Sequence, residues 1–478
     1  MNFRMIANLL GKVLLALSGL LLLPAAAGLC FGETVWHFLV SAVLSALLGL
    51  LLLKIRVENG RIFARDGFVT VSLAWILMSL LGALPFVLSG DIPNYIDAFF
   101  ETVSGFTTTG ATVLKNVEAL SRGCAFWRIF THWIGGMGIL VFIMAVLPMS
   151  GEHSMHIMRA EVPGPTAGKL VPRAKKSAII LYVIYIALTL LETGLLMCGG
   201  MSFYEALLHA FSTAGTGGFS TRNAGIAAFD SLYIEIVVAV FMLIFSVNFN
   251  VYFLIICRKL KKAFANEELH WFAGAVILCI AAITFFVKDF YGSWSTALRY
   301  SFFNVATVIS TTGFAVVDFN CWPEYAKWVL LGLMIIGGCA GSTAGGMKVS
   351  RIIILFKTAL NDIRQMIHPR SVNIVRLDGE KVDEKTIKAT QTYFVLYMLV
   401  LALSSALISF DRLGITTSFT ASIACLSNVG PGMAKVGPSE SYAVFSGFSK
   451  LILSLEMLLG RLEIYPIMIL IFGGLNKK

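Results

Sequence analysis

About ten apolar runs, each close to the length a helix needs to cross roughly 30 Å of hydrocarbon, follow one another along the chain. They are Val13 to Phe31, Trp36 to Leu53, Val69 to Leu88, Trp127 to Leu147, Ala178 to Met197, Leu232 to Cys257, Phe272 to Val287, Trp328 to Phe356, Tyr393 to Ile408 and Leu451 to Phe472. A chain that is 57% hydrophobic and 13% charged is too apolar for a soluble domain. The expectation is an all-α polytopic membrane protein. Arg4 and Lys12 before the first run, and Ala25-Ala26-Ala27 at its end, resemble a signal peptide. Leu29 before Cys30 spoils a lipoprotein cleavage site and a second run follows at once, so the first is read as a membrane anchor.

A formal charge of +10 would suggest nucleic acid in a soluble protein, but here the basic residues cluster in alternate loops. Arg56, Arg61 and Arg65 lie in one, Lys169, Arg173, Lys175 and Lys176 in the next, and Arg258, Lys259, Lys261 and Lys262 in a third. Arg364, Arg370, Arg376, Lys381, Lys385 and Lys388 fill the longest. The positive-inside rule makes these loops cytoplasmic, and with them both termini. No nucleic-acid partner is implied. The eight cysteines lie singly, without CxxC or ligand spacing, and read as small apolar fillers.

An internal repeat organises the rest. Phe99-Phe100-Glu101-Thr102-Val103-Ser104-Gly105-Phe106-Thr107-Thr108-Thr109-Gly110 aligns without gaps on Phe302-Phe303-Asn304-Val305-Ala306-Thr307-Val308-Ile309-Ser310-Thr311-Thr312-Gly313. Weaker copies end at Gly215-Thr216-Gly217 and at Asn428-Val429-Gly430. Each copy sits between two spans and is too short to cross, which describes a helix, re-entrant pore helix, loop, helix module. The chain therefore divides into an N-terminal two-helix hairpin (1–66) and pore modules at 67–150, 151–262, 263–360 and 361–478. These modules are pseudo-symmetric about one central pore.

Non-helical backbone at membrane depth is tolerated only where protein or a watery cavity satisfies its carbonyls. Glycine permits φ > 0 and lets successive carbonyls aim at an axis, where rings of them replace the hydration shell of K⁺. Short helices ending at such a cavity present their negative dipole ends to it, which also favours a cation. A bland reading of Thr-Gly as a simple turn holds for any single copy, but four copies at matching places weaken it. The candidate ion-binding residues are Thr108, Thr109, Gly110; Gly215, Thr216, Gly217; Thr311, Thr312, Gly313; and Asn428, Val429, Gly430. In the second copy Phe211 stands two residues further from its glycine than Phe106 does from Gly110, so its register is the least secure.

After the third loop the span is interrupted by a glycine-rich stretch with Gly337, Gly338, Gly341, Ser342, Thr343, Gly345, Gly346 and Lys348. Interior glycines weaken a helix by about 1 kcal/mol each, which argues for a break here. The alternative is close helix packing, since Gly337, Gly341 and Gly345 have GxxxG spacing. Arg461 lies in the last span between Glu456 and Glu463, and an arginine at that depth is functional by default. It either meets the exposed carbonyls around Gly341 to Gly346 or pairs with a neighbouring glutamate within its own helix. Glu192, His132, His209 and Glu101 lie in different modules with no HExxH or GxSxG spacing, which argues against an intramembrane enzyme. His209 and Glu101 read as braces for pore helices.

Ser104-Gly105-Phe106-Thr107-Thr108-Thr109-Gly110-Ala111-Thr112, Gly217-Gly218-Phe219-Ser220-Thr221, Ser310-Thr311-Thr312-Gly313-Phe314 and Asn428-Val429-Gly430-Pro431-Gly432 resemble the four filter motifs of the Trk/Ktr/HKT potassium transporter superfamily. The extra hairpin and Gly-Gly-Met-Gly at Gly135 to Gly138 resemble its TrkH/TrkG branch. The resemblance implies K⁺ uptake through a four-loop filter, an intramembrane gating loop at Gly337 to Lys348, and an arginine at position 461 that contacts it. Glycine at all four filter positions favours K⁺, since a serine at the first accompanies Na⁺ transport in some plant members. It also implies a homodimer in the lipid of a bacterial cytoplasmic (inner) membrane and a cytosolic nucleotide-binding TrkA-type ring. A gated channel, an H⁺- or Na⁺-coupled symporter and a non-transporting membrane enzyme all stay open from the residues alone.

Overall fold

The computed structural model describes residues 2–55, 64–138, 174–369 and 374–472. Among them six helices are long and apolar enough to cross a membrane, or seven if Leu232–Ser246 and Phe249–Ile256, bent by 92° where they meet, form one broken span. The chain is an all-α polytopic membrane protein, and among the described residues six of the ten expected spans are single continuous helices. The runs Leu232 to Cys257, Trp328 to Phe356 and Leu451 to Phe472 are apolar throughout yet do not continue as one helix. Part of the run Trp127 to Leu147 and the basic residues Arg56, Arg61, Lys169, Arg173 and Arg370 lie outside the described residues.

Four modules share one order. The outer helices are Ala64–Gly82 (followed by Leu84–Ser89), Ala174–Cys198, Glu267–Tyr291 and Glu384–Ile408. Each leads to a short helix: Tyr95–Phe106, Phe203–Gly215, Trp294–Ile309 and Ile415–Leu426. At 12 to 16 residues these reach about 18–24 Å, too little to cross. Asn94 and Ser202 cap the first two, their side chains accepting from Ile96 N and Glu205 N, so the chain can turn inward without leaving donors bare. Polar residues of the short helices, among them Ser104, Thr213, Thr307 and Ser422, are fully buried, which places the convergence of the modules in the middle of the protein.

The inner helices that follow, Arg122–Met137, Leu232–Ser246, Glu324–Ile336 and Gly447–Arg461, all stop early. The first ends on Gly138 with φ 79°, and the second at Val247, whose extended backbone lets Asn248 cap Phe249–Ile256. The third ends on Gly337 and resumes at Val349–Ile367. In the fourth, Glu463 and Ile464 take φ of 61° and 64° before Tyr465–Phe472. A β-branched residue in that region is an outlier, and an Ile464 N–H bond to the Leu459 carbonyl at 2.8 Å helps hold it there.

The N-terminal hairpin lies outside this plan. Its helices Phe3–Leu20 and Trp36–Leu53 approach closely where small residues meet: a Cβ on Gly11 would stand 2.8 Å from the Gly49 carbonyl oxygen. The basic segment at the start of the fourth module carries a short antiparallel pair, Arg376–Leu377 with Glu380–Lys381, which hydropathy gave no reason to expect. Its turn residue Asp378 accepts from Glu267 N at 2.6 Å, tying this segment to the start of the third outer helix.

Candidate functional site

Each short helix ends in the same way. The N–H of Thr109 donates to Ser104 O, that of Gly217 to Ser212 O and that of Thr312 to Thr307 O, all at 2.9 Å, and Val429 donates to Ala424 O at 2.8 Å. The residue before each donor, Thr108, Thr216, Thr311 or Asn428, has φ 55°. The residue after each is a glycine at positive φ: Gly110 (80°), Gly218 (80°), Gly313 (83°) and Gly430 (93°).

These turns close on one another in order. A Cβ on Gly110 would stand 2.0 Å from Gly217 O, on Gly218 2.1 Å from Thr312 O, on Gly313 2.2 Å from Val429 O, and on Gly430 2.4 Å from Thr109 O. Each loop thus sets one backbone carbonyl against the glycine of its neighbour, and the fourth returns to the first. Real Cβ atoms essentially never come within 3.0 Å of another atom, so glycine is demanded by contact as well as by φ.

The register of the second loop differs from the sequence alignment. Gly218, not Gly217, matches Gly110. Gly217 is small for a different reason: a Cβ there would fall 2.0 Å from His132 Nδ1, and one on Gly215 2.3 Å from His132 O. The His132 ring, from the first inner helix, stacks on Phe219 at 4.1 Å and lies 3.2 Å from Ser212 Oγ. It fills the space behind the second loop. In the first and third loops hydroxyl clips stand at the matching positions, Thr107 with Thr109 at 2.8 Å and Ser310 with Thr312 at 2.7 Å.

Behind the ring lies a set of polar braces. Glu101 accepts from Thr112 Oγ1 at 2.8 Å and from Val113 N at 2.9 Å, and pairs with Arg128 Nε at 2.6 Å. Arg128 also donates to Ser220 O at 3.3 Å and lies 3.5 Å from the centre of the Phe219 ring. His209 Nδ1 donates to Glu205 O at 2.8 Å, which leaves Nε2 to accept from Ser220 Oγ at 3.0 Å. Tyr442 donates to the Gly430 carbonyl at 2.7 Å, and Asn428 Nδ2 donates to Thr109 Oγ1 at 2.9 Å. Glu101 and His209 were legible as braces. Arg128 was not singled out, although a cation in an apolar run was the available signal.

One side of the ring opens into a cavity of about 490 Å³, lined by residues of all four loops, among them Ala111, Phe219, Phe314 and Pro431. On the other side lies the glycine-rich break. It is not helical, so the GxxxG packing alternative does not apply. Gly337, Gly341, Gly346 and Lys348 have φ of 69° to 77°. Gly345 N donates to Thr311 Oγ1 at 2.6 Å and Gly346 N to Ser427 O at 2.9 Å, so the segment touches the third and fourth turns. Thr343 donates its hydroxyl to Phe245 O at 3.0 Å, Cys339 N, next to Gly338, donates to Ser246 O at 2.9 Å, and Gly341 O accepts from Phe249 N at 3.1 Å. Ser342 Oγ turns back to Cys339 O, and the buried Lys348 Nζ to Ala344 O. Glu268 accepts from Ala340 N at 2.7 Å and Ser350 N at 3.0 Å, pinning the segment near both ends.

Arg461 reaches across. It donates to Thr343 O, Gly135 O and Gly136 O, each at 2.7 Å. Of its neighbouring glutamates, Glu463 pairs with Arg351 and Glu456 accepts from Ser422 Oγ. The arrangement can therefore do two things: present a closed set of carbonyls to a cation, and hold a cationic side chain and a backbone segment directly beneath.

A family model described as a cation transport protein, TrkH, matches residues 36–475. The Trk system potassium uptake protein TrkH of Salmonella typhimurium is 35% identical over 98% of both chains, and that of Halomonas elongata 35% identical over the whole of both. The crystal structure of the potassium transporter TrkH from Vibrio parahaemolyticus superposes with a TM-score of 0.88 at 31% identity over 98% of each chain. The Trk system potassium uptake protein TrkG of Escherichia coli is 34% identical over 86% of this chain. With a family model covering most of its length and relatives matching end to end, the chain belongs to the TrkH family of cation transport proteins.

Proposed function

We propose that the chain takes up potassium across a bacterial cytoplasmic membrane, and that the ring of Gly110, Gly218, Gly313 and Gly430 is its selectivity filter. The observation that carries this reading is the cyclic order in which Thr109, Gly217, Thr312 and Val429 set their carbonyls against the next glycine. Carbonyls held at fixed spacing by mutual contact are what a dehydrated K⁺ requires. The names of the relatives support the same ion. The segment from Gly337 to Lys348 is the gating loop in this reading, and Arg461 its lock, a fixed positive charge beside the ion path. Both termini face the cytoplasm, as the basic loops suggest. The protein works as a homodimer with a cytosolic nucleotide-binding TrkA-type ring, for which the exposed Arg364, Lys381 and Lys388 offer a basic surface.

Reversal potentials of the purified protein in liposomes test this. Passive uptake gives a reversal at the K⁺ Nernst potential, insensitive to imposed H⁺ or Na⁺ gradients. A potential that moves with either gradient would establish coupled symport instead, and no K⁺ current would overturn both.

A further inference from the structure

We propose that a pocket between the third and fourth modules binds the phosphodiester headgroup of an anionic lipid. The cavity is about 230 Å³ and is lined by Arg351, Lys385, Thr386, Thr390, Tyr393 and Tyr465. It lies where the continuation of the third inner helix, Val349–Ile367, meets the start of the fourth outer helix, Glu384–Ile408, and the last helix, Tyr465–Phe472.

The chemistry is that of an anion site with one hand free. Arg351 is only 5% exposed; one of its terminal nitrogens pairs with Glu463, and the other, Nη1, has no hydrogen-bond partner. Its guanidinium lies 4.1 Å from the centre of the Tyr393 ring, which fixes its plane. A buried guanidinium N–H left unpaired is unfavourable, and a phosphate oxygen would satisfy it. At the rim Lys385 is exposed and forms no ion pair among the described residues. The acid beside it, Glu384, faces away: with Lys388 it lines a separate cavity formed with Asn361 and Asp362.

Position decides for a lipid over a free anion. About 13 Å further along the same helix, at 1.5 Å per residue, begins an exposed apolar surface of Phe394, Val395, Met398, Leu399 and Leu403. The pocket thus stands where polar helix ends give way to lipid-facing side chains, on the side that carries the basic loops. Basic pockets between membrane helices at that depth receive anionic headgroups, with the acyl chains laid along the apolar stripe. Glu463 follows Arg461 by two residues, so a lipid held by Arg351 also steadies the backbone that carries Arg461.

The test is native mass spectrometry of the full chain in detergent, titrated with phosphatidylglycerol, with phosphatidylcholine of the same acyl chains, and with inorganic phosphate. Phosphatidylglycerol should be retained in preference to phosphatidylcholine, and Lys385→Gln, an exposed change that leaves the core intact, should weaken its first binding step about fivefold. Arg364→Gln, equally basic but outside the pocket, should leave that step unchanged. Equal retention by Lys385→Gln and the native chain, or no preference between the two lipids, would overturn the assignment. So would displacement of the lipid by millimolar phosphate, which would make this a free-anion site. None of these readouts depends on ion flux.

Discussion

The guanidinium of Arg128 and the carboxylate of Glu101 pair at 2.6 Å with both side chains buried, and each also holds a different loop of the ring. Glu101 takes the Val113 N–H behind the first turn, while Arg128 takes Ser220 O and packs on Phe219 behind the second.

Removing one partner of a buried pair leaves an uncompensated charge, a loss of about 3–5 kcal/mol. Arg128→Gln or Glu101→Gln should therefore lower the melting temperature clearly and reduce K⁺ over Na⁺ preference. The double change should recover part of the stability, because no lone charge remains. A thermal double-mutant cycle read by size-exclusion chromatography measures this; a single variant that melts with the native protein would remove the pair from the account.

Gly110→Ser, Gly313→Ala and Gly218→Ala each place a Cβ within about 2 Å of a neighbouring carbonyl oxygen, so each should lower K⁺ over Na⁺ flux ratios. Gly217→Ala should fail for another reason, collision with the His132 ring. His132→Ala in the same chain should restore the fold of Gly217→Ala but do nothing for Gly218→Ala. Rubidium and sodium uptake into liposomes distinguishes the two cases.

Arg461→Ala should raise basal K⁺ flux, as should deletion of Gly341 to Gly345, and the two together should add little because both remove one barrier. Arg461→Lys should fall between Ala and the native chain, since an ammonium keeps the positive charge but cannot reproduce the forked contacts to Thr343, Gly135 and Gly136. Unchanged flux with lowered stability would make Arg461 a structural residue only.

Glu268 accepts from Ala340 N and Ser350 N with the same oxygen. Glu268→Ala should loosen the loop at both ends, raise basal flux and leave the ion preference alone, because no ring residue is among these partners. Flux and selectivity measured on one preparation separate the effects; a change in preference without a change in flux would contradict the loop's role.

The outer helices were legible because burial against lipid demands long continuous apolar runs, and hydropathy reads these directly. The modules were legible because the close approach of backbones forces glycine to recur. The breaks in the second and fourth inner helices were not. Val247 and Leu462 to Ile464 keep the run largely apolar, so composition cannot tell a 92° bend from a straight span. At Gly217-Gly218 two adjacent glycines answer two different demands, contact with His132 and positive φ, and the sequence does not say which is which. The stretch around Gly341 to Gly346 was named as a partner for Arg461, and Thr343 lies within it, whereas Gly135 and Gly136 are brought there only by packing between the first and fourth modules.

The early ends of the inner helices also make the protein two mechanisms stacked in one frame. The ring is a closed arch in which every stone is wedged by the next, and the segment beneath meets it only at its third and fourth turns among the described residues. At Val247, Gly337 and Glu463 the helices are interrupted, so motion of the segments that follow need not be carried upward as it would be through rigid rods. In the proposed reading, a new partner or a new lipid therefore acts on the gate and leaves the choice of ion to the ring.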